Sequence, residues 1–224
     1  TYAVSVLLQR ILLKDDKSDP IAYSIVFQLV TGLLIGIYAV WQGFSVPDLK
    51  PVIFNFVLMA IFYGAGNVFI FNALKLIEAS EFTILFASRA LWTIFAAILF
   101  LGEKFSLQQG IGTLLIISSV FFVSYKSQRI KIGKGEIFTM LAALAFGLAF
   151  ANDAFIIRNF DVPSYLTIAF VVPALAVWAV YPKSTNKMKP FLEKMTLLNL
   201  GLLGIFYAIS AITIFLAYSV GRNA

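Results

Sequence analysis

The chain has 224 residues, of which 61% are hydrophobic and 12% charged, with a mean hydropathy of +0.93 and a formal net charge of +6. A soluble fold of this length could not hide so much apolar surface in one core, so lipid is the solvent this composition requires. The lack of Cys and His excludes disulfides, thiol catalysis, Cys/His metal sites and histidine relays within the chain. The basic residues fall between apolar runs, which reads as anchoring at an anionic membrane surface rather than nucleic-acid binding.

A spanning helix needs about 20 mostly apolar residues. Eight helical segments are predicted in chain order: 1–14, 20–42, 51–77, 79–101, 106–126, 135–158, 163–182 and 196–220. Segment 1–14 is too short to span alone, and its missing half is expected upstream of Thr1. The connectors carry charged and turn-forming residues: Asp15 to Pro20, Val46 to Pro51, Gly102-Glu103-Lys104, Lys126 to Gly135, Asp161-Val162-Pro163, and Pro182 to Lys194. The fold class is therefore all-α polytopic, because a helix satisfies its own backbone in lipid and the runs are too long for barrel strands. Gly32 and Gly36 form a G-x-x-x-G pair, and Ala143, Gly147 and Ala151 a four-spaced stripe. Both read as close packing inside the bundle rather than as a dedicated dimer face; a homodimer is not indicated.

The chain also echoes itself. Ile205-Phe206-Tyr207-Ala208 matches Ile61-Phe62-Tyr63-Gly64, and Ile214-Phe215 meets Ile70-Phe71 at the same offset. Pro163 falls where Pro20 does, within one residue. Residues 1–126 are read as a first repeat and 135–224 as a second, whose last two helices are absent. Five helices precede the second copy. Five is odd, so that copy must enter the membrane in the opposite sense, giving an inverted repeat of the kind many secondary transporters use.

The fourth and fifth segments carry the sharpest motif. They read Ala79-Ser80-Glu81-Phe82, then Ala96-Ala97-Ile98-Leu99-Phe100-Leu101-Gly102-Glu103-Lys104-Phe105-Ser106, then Gln109-Gly110-Ile111-Gly112. This stretch resembles the EamA family of the drug/metabolite transporter superfamily, and Asn72-Ala73-Leu74 also fits that family's helix-three ending. The resemblance implies ten helices in two five-helix repeats around a central cavity, and export or exchange of small organic solutes. Where that family often carries Pro near position 90, this chain has Ser88-Arg89-Ala90-Leu91-Trp92. The motif has a physical reading of its own. Ser106 and Gln109 can form a capping box, and Glu103 precedes the positive end of a helix, so Gly102, Glu103, Ser106 and Gln109 describe a tight interhelical turn.

Within the membrane, Arg89 stands out. An Arg at a helix centre costs roughly 3 kcal/mol on insertion scales, so its presence needs a reason. Either it meets a solute's polar head in a cavity, or it forms a structural ion pair, with Asp153 as first partner and Glu81 as second. The working hypothesis is that Arg89 and Asp153 face the cavity and set a charge preference. Tyr63, Asn67, Asn152, Tyr207 and Trp92 are further cavity candidates, beside Gln28, Asn72, Ser210 and Thr213. Neutral groups of this kind also serve simply as hydrogen bonds between helices.

Orientation is read in two opposed ways. Connectors on one side hold twelve of the 17 Lys and Arg and those on the other hold four. The positive-inside rule puts the richer side in the cytoplasm and the chain start outside, whereas the family resemblance implies an N-terminus inside. The expected function is secondary transport of a small organic metabolite by alternating access, in the cell membrane, with no cofactor or metal. The alternative is a non-transporting scaffold or sensor with a transporter-like fold. A membrane enzyme is disfavoured, because the chain has no His and only scattered carboxylates.

Overall fold

The computed structural model describes residues 2–13, 18–102, 104, 106–126 and 133–222. Among these the structure is helical, with no strand. The helices are α1 (Tyr2–Leu13), α2 (Pro20–Gln42), α3 (Ile53–Leu76), α4 (Ala79–Phe86), α5 (Arg89–Ala96), α6 (Leu107–Lys126), α7 (Lys134–Ile156), α8 (Val162–Val180) and α9 (Lys194–Arg222). Among the described residues, six segments are long and apolar enough to cross a membrane: α2, Lys50–Leu76, Ala79–Leu101, α7, α8 and Lys194–Ala217. Large apolar side chains face outward along them, such as Phe54 at 69% exposure and Val40 at 70%. A protein in water would bury these groups, and lipid has no reason to exclude them.

Small residues set which helices touch. Gly32 of α2 lies against Val171 and Phe170 of α8, and Gly36 lies against Thr167. The G-x-x-x-G pair therefore seats an antiparallel partner from the same chain. On α7, Gly135 faces Leu76 and Ile77 at the end of α3, while Gly66 of α3 faces Phe146. Gly64 lets α3 lean on Pro173 and Val177 of α8, and Gly204 lets α9 lean on Thr31 and Leu34 of α2. Helices α2, α3, α7 and α8 thus form the centre. Helix α5 packs on α7, α9 packs on α2, and α6 touches the bundle through α4 and α5.

The fourth segment departs from the single helix expected over 79–101. It breaks at Ala87 and Ser88 into α4 and α5, and ends in a π-helical turn over Ala97–Leu101. From Ser88 to Leu91 the backbone donors reach three residues back instead of four: Ser88 to Leu85, Ala90 to Ala87 and Leu91 to Ser88. The Ser88 hydroxyl competes for the same Leu85 carbonyl at 2.6 Å. A serine bonding back to the preceding turn is a known source of such local overwinding.

Two caps of the same design hold the central antiparallel pair. The Asp19 side chain accepts hydrogen bonds from the Ile21 and Ala22 amides, followed by Pro20 in the first turn of α2. Asp161 accepts from the Ser164 amide ahead of α8, followed by Pro163. Each cap is then touched by the connector that follows the other helix. Lys187 reaches Asp19 at 2.7 Å, and the Ser45 hydroxyl donates to Asp161 at 3.1 Å.

Candidate solute cavity and its polar lining

A cavity of about 60 Å³ opens between α3, α5, α7, α8 and α9. Its lining includes Tyr63, Asn67, Arg89, Tyr207 and Ser210, with Phe146, Phe150, Phe170 and Phe215 as apolar walls. Arg89 is the charged residue on that lining. A second space of about 270 Å³ shares Arg89, Phe150, Ile214 and Phe215 with the first, and adds Thr93, Ala97, Leu101, Ala151 and Asp153. Both are smaller than the roughly 300–1,000 Å³ typical of small-ligand sites, but they share the usual character of such sites, a mostly apolar wall with a few convergent polar groups.

Arg89 is the first residue of α5, immediately after the overwound turn. Its guanidinium lies over the Phe86 ring at 4.7 Å and the Phe150 ring at 5.8 Å. Rings at these distances stabilise a cation by about 0.5–2 kcal/mol, more where water is excluded. This offsets part of the cost of holding an Arg in the membrane. Close approach of α5 to α7 fixes its height. A Cβ at Gly147 would fall 2.8 Å from the Arg89 carbonyl oxygen and 2.4 Å from the Trp92 Cβ.

Asp153 is 1% exposed. Its Oδ2 accepts the Tyr63 hydroxyl from α3 and its Oδ1 accepts the Tyr165 hydroxyl from α8. Asp153 is thus a carboxylate clamped between two phenols, with Arg89 lining the same space. Tyr63 belongs to both arrangements. Its hydroxyl holds Asp153, and the residue also lines the first cavity, its ring edge-on to Phe146.

From Tyr63 the polar groups continue inward. The Asn67 side chain donates to the Tyr63 carbonyl at 2.8 Å and to the Gln28 side chain at 3.2 Å. Gln28 in turn donates to the Ser24 hydroxyl at 3.0 Å and to the Ser24 carbonyl at 3.2 Å. Of these, the Asn67–Gln28 bond joins two helices, and such interhelical bonds contribute about 0.6–2 kcal/mol each in a bundle.

The remaining candidates stand elsewhere. Asn152 exchanges two bonds with Asn55 of α3, at 2.8 and 2.9 Å, and is outside both cavity linings. Trp92 packs at the α5–α7 contact and is likewise outside them. Asn72 bonds within its own helix to the Val68 carbonyl, and Thr213 to the Ile209 carbonyl. Ser106 and Gln109 form a capping box at the start of α6, the Ser106 amide donating to Gln109 at 2.8 Å and the Gln109 amide to Ser106 at 3.1 Å. Gly102 adopts φ 68°, the left-handed region that favours glycine. Glu103 lies outside the described residues.

Sequence reading missed Tyr165 and Asn55. The one available signal was chemical: a carboxylate in a membrane helix must find donors, and a tyrosine one turn into the next helix is within reach. Which of the nine tyrosines supplies them depends on contacts 90 residues apart along the chain, as between Tyr63 and Asp153.

No curated protein matches the chain. The EamA-like transporter family matches residues 1–125, more than half of it. With its multiple membrane-spanning helices arranged around a polar-lined cavity, this chain belongs to the EamA-like transporter family.

Proposed function

We propose that the protein is a secondary transporter that moves a small organic solute with an anionic group and an apolar body, by alternating access of two inverted repeats. The observation that carries this reading is that Tyr63 and Tyr207, the matching residues of the two sequence echoes, line one cavity together with Arg89. An inverted repeat generates that meeting, because a pseudo-two-fold axis between the halves brings equivalent positions to a common site.

The helix caps support the same reading. Asp161 follows Asp19 by 142 residues, and Lys187 follows Ser45 by the same 142. The contact of Lys187 with Asp19 and that of Ser45 with Asp161 are therefore reciprocal, as in an isologous interface where i meets j and j meets i. Helices α2 and α8 pack on each other antiparallel, as an in-plane two-fold relation between the halves requires. The Arg89 guanidinium would hold the anionic group, since Arg presents several donors in a fixed plane, while the phenylalanine walls take the apolar part.

We place the protein in the cell membrane, with the end bearing Lys75, Lys187 and Lys189 in the cytoplasm on the basis of charge. The test is flux of a panel of aromatic and aliphatic carboxylates, amines and neutral solutes in proteoliposomes. Transport confined to carboxylates supports the reading; no flux of any solute class sinks it.

A further inference from the structure

We propose that Asp153 is a proton-binding site which sets the solute affinity of the adjacent cavity through Tyr63, so that a proton and an anionic solute bind together. The proposal deepens the transport reading and rests on it. Asp153 is almost fully buried yet lines the second space beside Arg89 and Thr93. It sits in the last turn of α7, where the carbonyl end of the helix works against a negative charge, as does burial itself. Two phenol donors work the other way. A carboxyl group held between such opposed influences, and reachable from a cavity, is equipped to exchange a proton.

The groups facing Asp153 define what that exchange does. Helix α3 presents Tyr63, α8 presents Tyr165, and α5 presents Arg89 across the shared space. Helix α9 presents Ile214 and Phe215 there, and its Tyr207 lies within electrostatic reach of Tyr63. With Asp153 ionised, both its oxygens accept, and the Tyr63 hydrogen is committed to Oδ2. A proton taken from water in the second space onto Oδ2 turns that oxygen into a donor. The Oδ2–H then points at the Tyr63 oxygen, and the phenol hydrogen rotates into the first cavity, toward the region of Asn67, Arg89 and Tyr207. One O–H bond forms on Asp153, and otherwise only hydrogen bonds change.

An anionic head at Arg89 then meets one additional donor and one fewer negative charge. By linkage, the bound anion raises the proton affinity of Asp153 by the same factor that the proton raises anion affinity. The coupling is of the symport type: proton and anion are carried in the same direction.

The test needs no identified solute. Infrared difference spectra of the protein in lipid vesicles, taken between acid and alkaline pH, read the carbonyl stretch of a protonated carboxyl group. The expected result is a titrating carboxyl band that is lost in Asp153→Asn and shifted in both frequency and titration midpoint in Tyr63→Phe. Tyr165→Phe, which removes the other donor to the same carboxyl group, shifts the band without removing it. Solute access is read in parallel at a Ser210→Cys thiol, in a chain that has no native Cys. Its maleimide labelling rate, taken at each pH relative to that of an exposed Lys50→Cys thiol to remove thiol ionisation, changes with pH in the otherwise native protein and becomes pH-independent with Asp153→Asn added. A carboxylate that stays ionised across the whole pH range, or a labelling rate indifferent to Asp153, overturns the proposal and leaves the transport reading standing. A titrating Asp153 in a protein that moves no solute strikes the transport reading instead.

Discussion

Lys187 Nζ lies 2.7 Å from Asp19 Oδ2, so the connector after α8 is tied to the cap that begins α2. Burial raises the Asp19 pKa, but the Lys187 hydrogen bond and charge and the Ala22 and Ile21 amides outweigh it, leaving it below the ordinary 3.8. A depressed folded-state pKa contributes stability that is present above the unfolded value and lost as pH falls through the folded one. Lys187 is 63% exposed, so the ion pair itself is worth at most about 1 kcal/mol. Asp19→Ala also removes the helix cap, which costs about 0.5–2 kcal/mol. Detergent-solubilised protein should therefore lose more thermal stability at neutral pH from Asp19→Ala than from Lys187→Ala. The gap between wild type and Lys187→Ala should close below about pH 4, as Asp19 takes up its proton.

Gly147 is where α5 and α7 meet. A methyl group there would come within 2.8 Å of the Arg89 carbonyl and 3.0 Å of the Thr93 amide, which are backbone atoms and cannot swing aside. Gly147→Ala is expected to cost about 1–3 kcal/mol by overpacking and to displace Arg89 from the cavity. Gly112, with nothing within 4 Å of its added Cβ, provides the contrast: Gly112→Ala should be neutral or stabilising, because Ala is the better helix former. Denaturant unfolding in micelles measures both.

Tyr165→Phe leaves an oxygen of Asp153 without its donor. Removing one partner of a buried hydrogen bond costs about 1–3 kcal/mol, whereas replacing both by apolar groups can be nearly neutral. The single change should destabilise the protein by that amount. Adding Asp153→Leu should recover part of the loss, a non-additivity that a double-mutant cycle detects.

The charge reading of orientation has a direct check. Lys75 donates to the Ser18 carbonyl at 2.5 Å, which places the α3–α4 connector at the same end as Asp19 and Lys187. Lys50 lies at the opposite end, with Ser45 and Asp161. Impermeant maleimide should label Lys50→Cys in intact cells and Lys189→Cys only after permeabilisation. The reverse pattern would place the lysine-rich end outside.

Much of the fold is legible from apolar runs and punctuation. The span over 20–42 and those over 134–156 and 162–180 follow from length and hydropathy, with Asp19 and Asp161 in position to cap. The break at Ala87 and Ser88 is not legible in this way. No Gly or Pro lies between Ala79 and Leu101, and a serine's choice of the Leu85 carbonyl is a local competition that run length does not register. The cavity was legible only in part. Arg89 announces itself by its cost in lipid, and Tyr63 and Tyr207 by their echo. Asn152 and Trp92 look equivalent to these in sequence, yet they face Asn55 and Gly147. Which face of a nearly uniformly apolar helix turns inward is decided by its neighbours, since hydrophobic periodicity is weak where both faces are apolar.

Counterflow in proteoliposomes reads the proposed passage of an anionic solute through the Arg89 cavity. Radiolabelled carboxylates and their uncharged amide analogues should be compared in wild type, Arg89→Gln and Arg89→Lys. The account predicts that wild type exchanges a carboxylate and not its amide. Arg89→Gln should lose that preference by at least tenfold, equivalent to about 1.4 kcal/mol, and Arg89→Lys should retain part of it. Arg89→Gln protein that folds normally and exchanges the same carboxylate with unchanged selectivity would contradict the account.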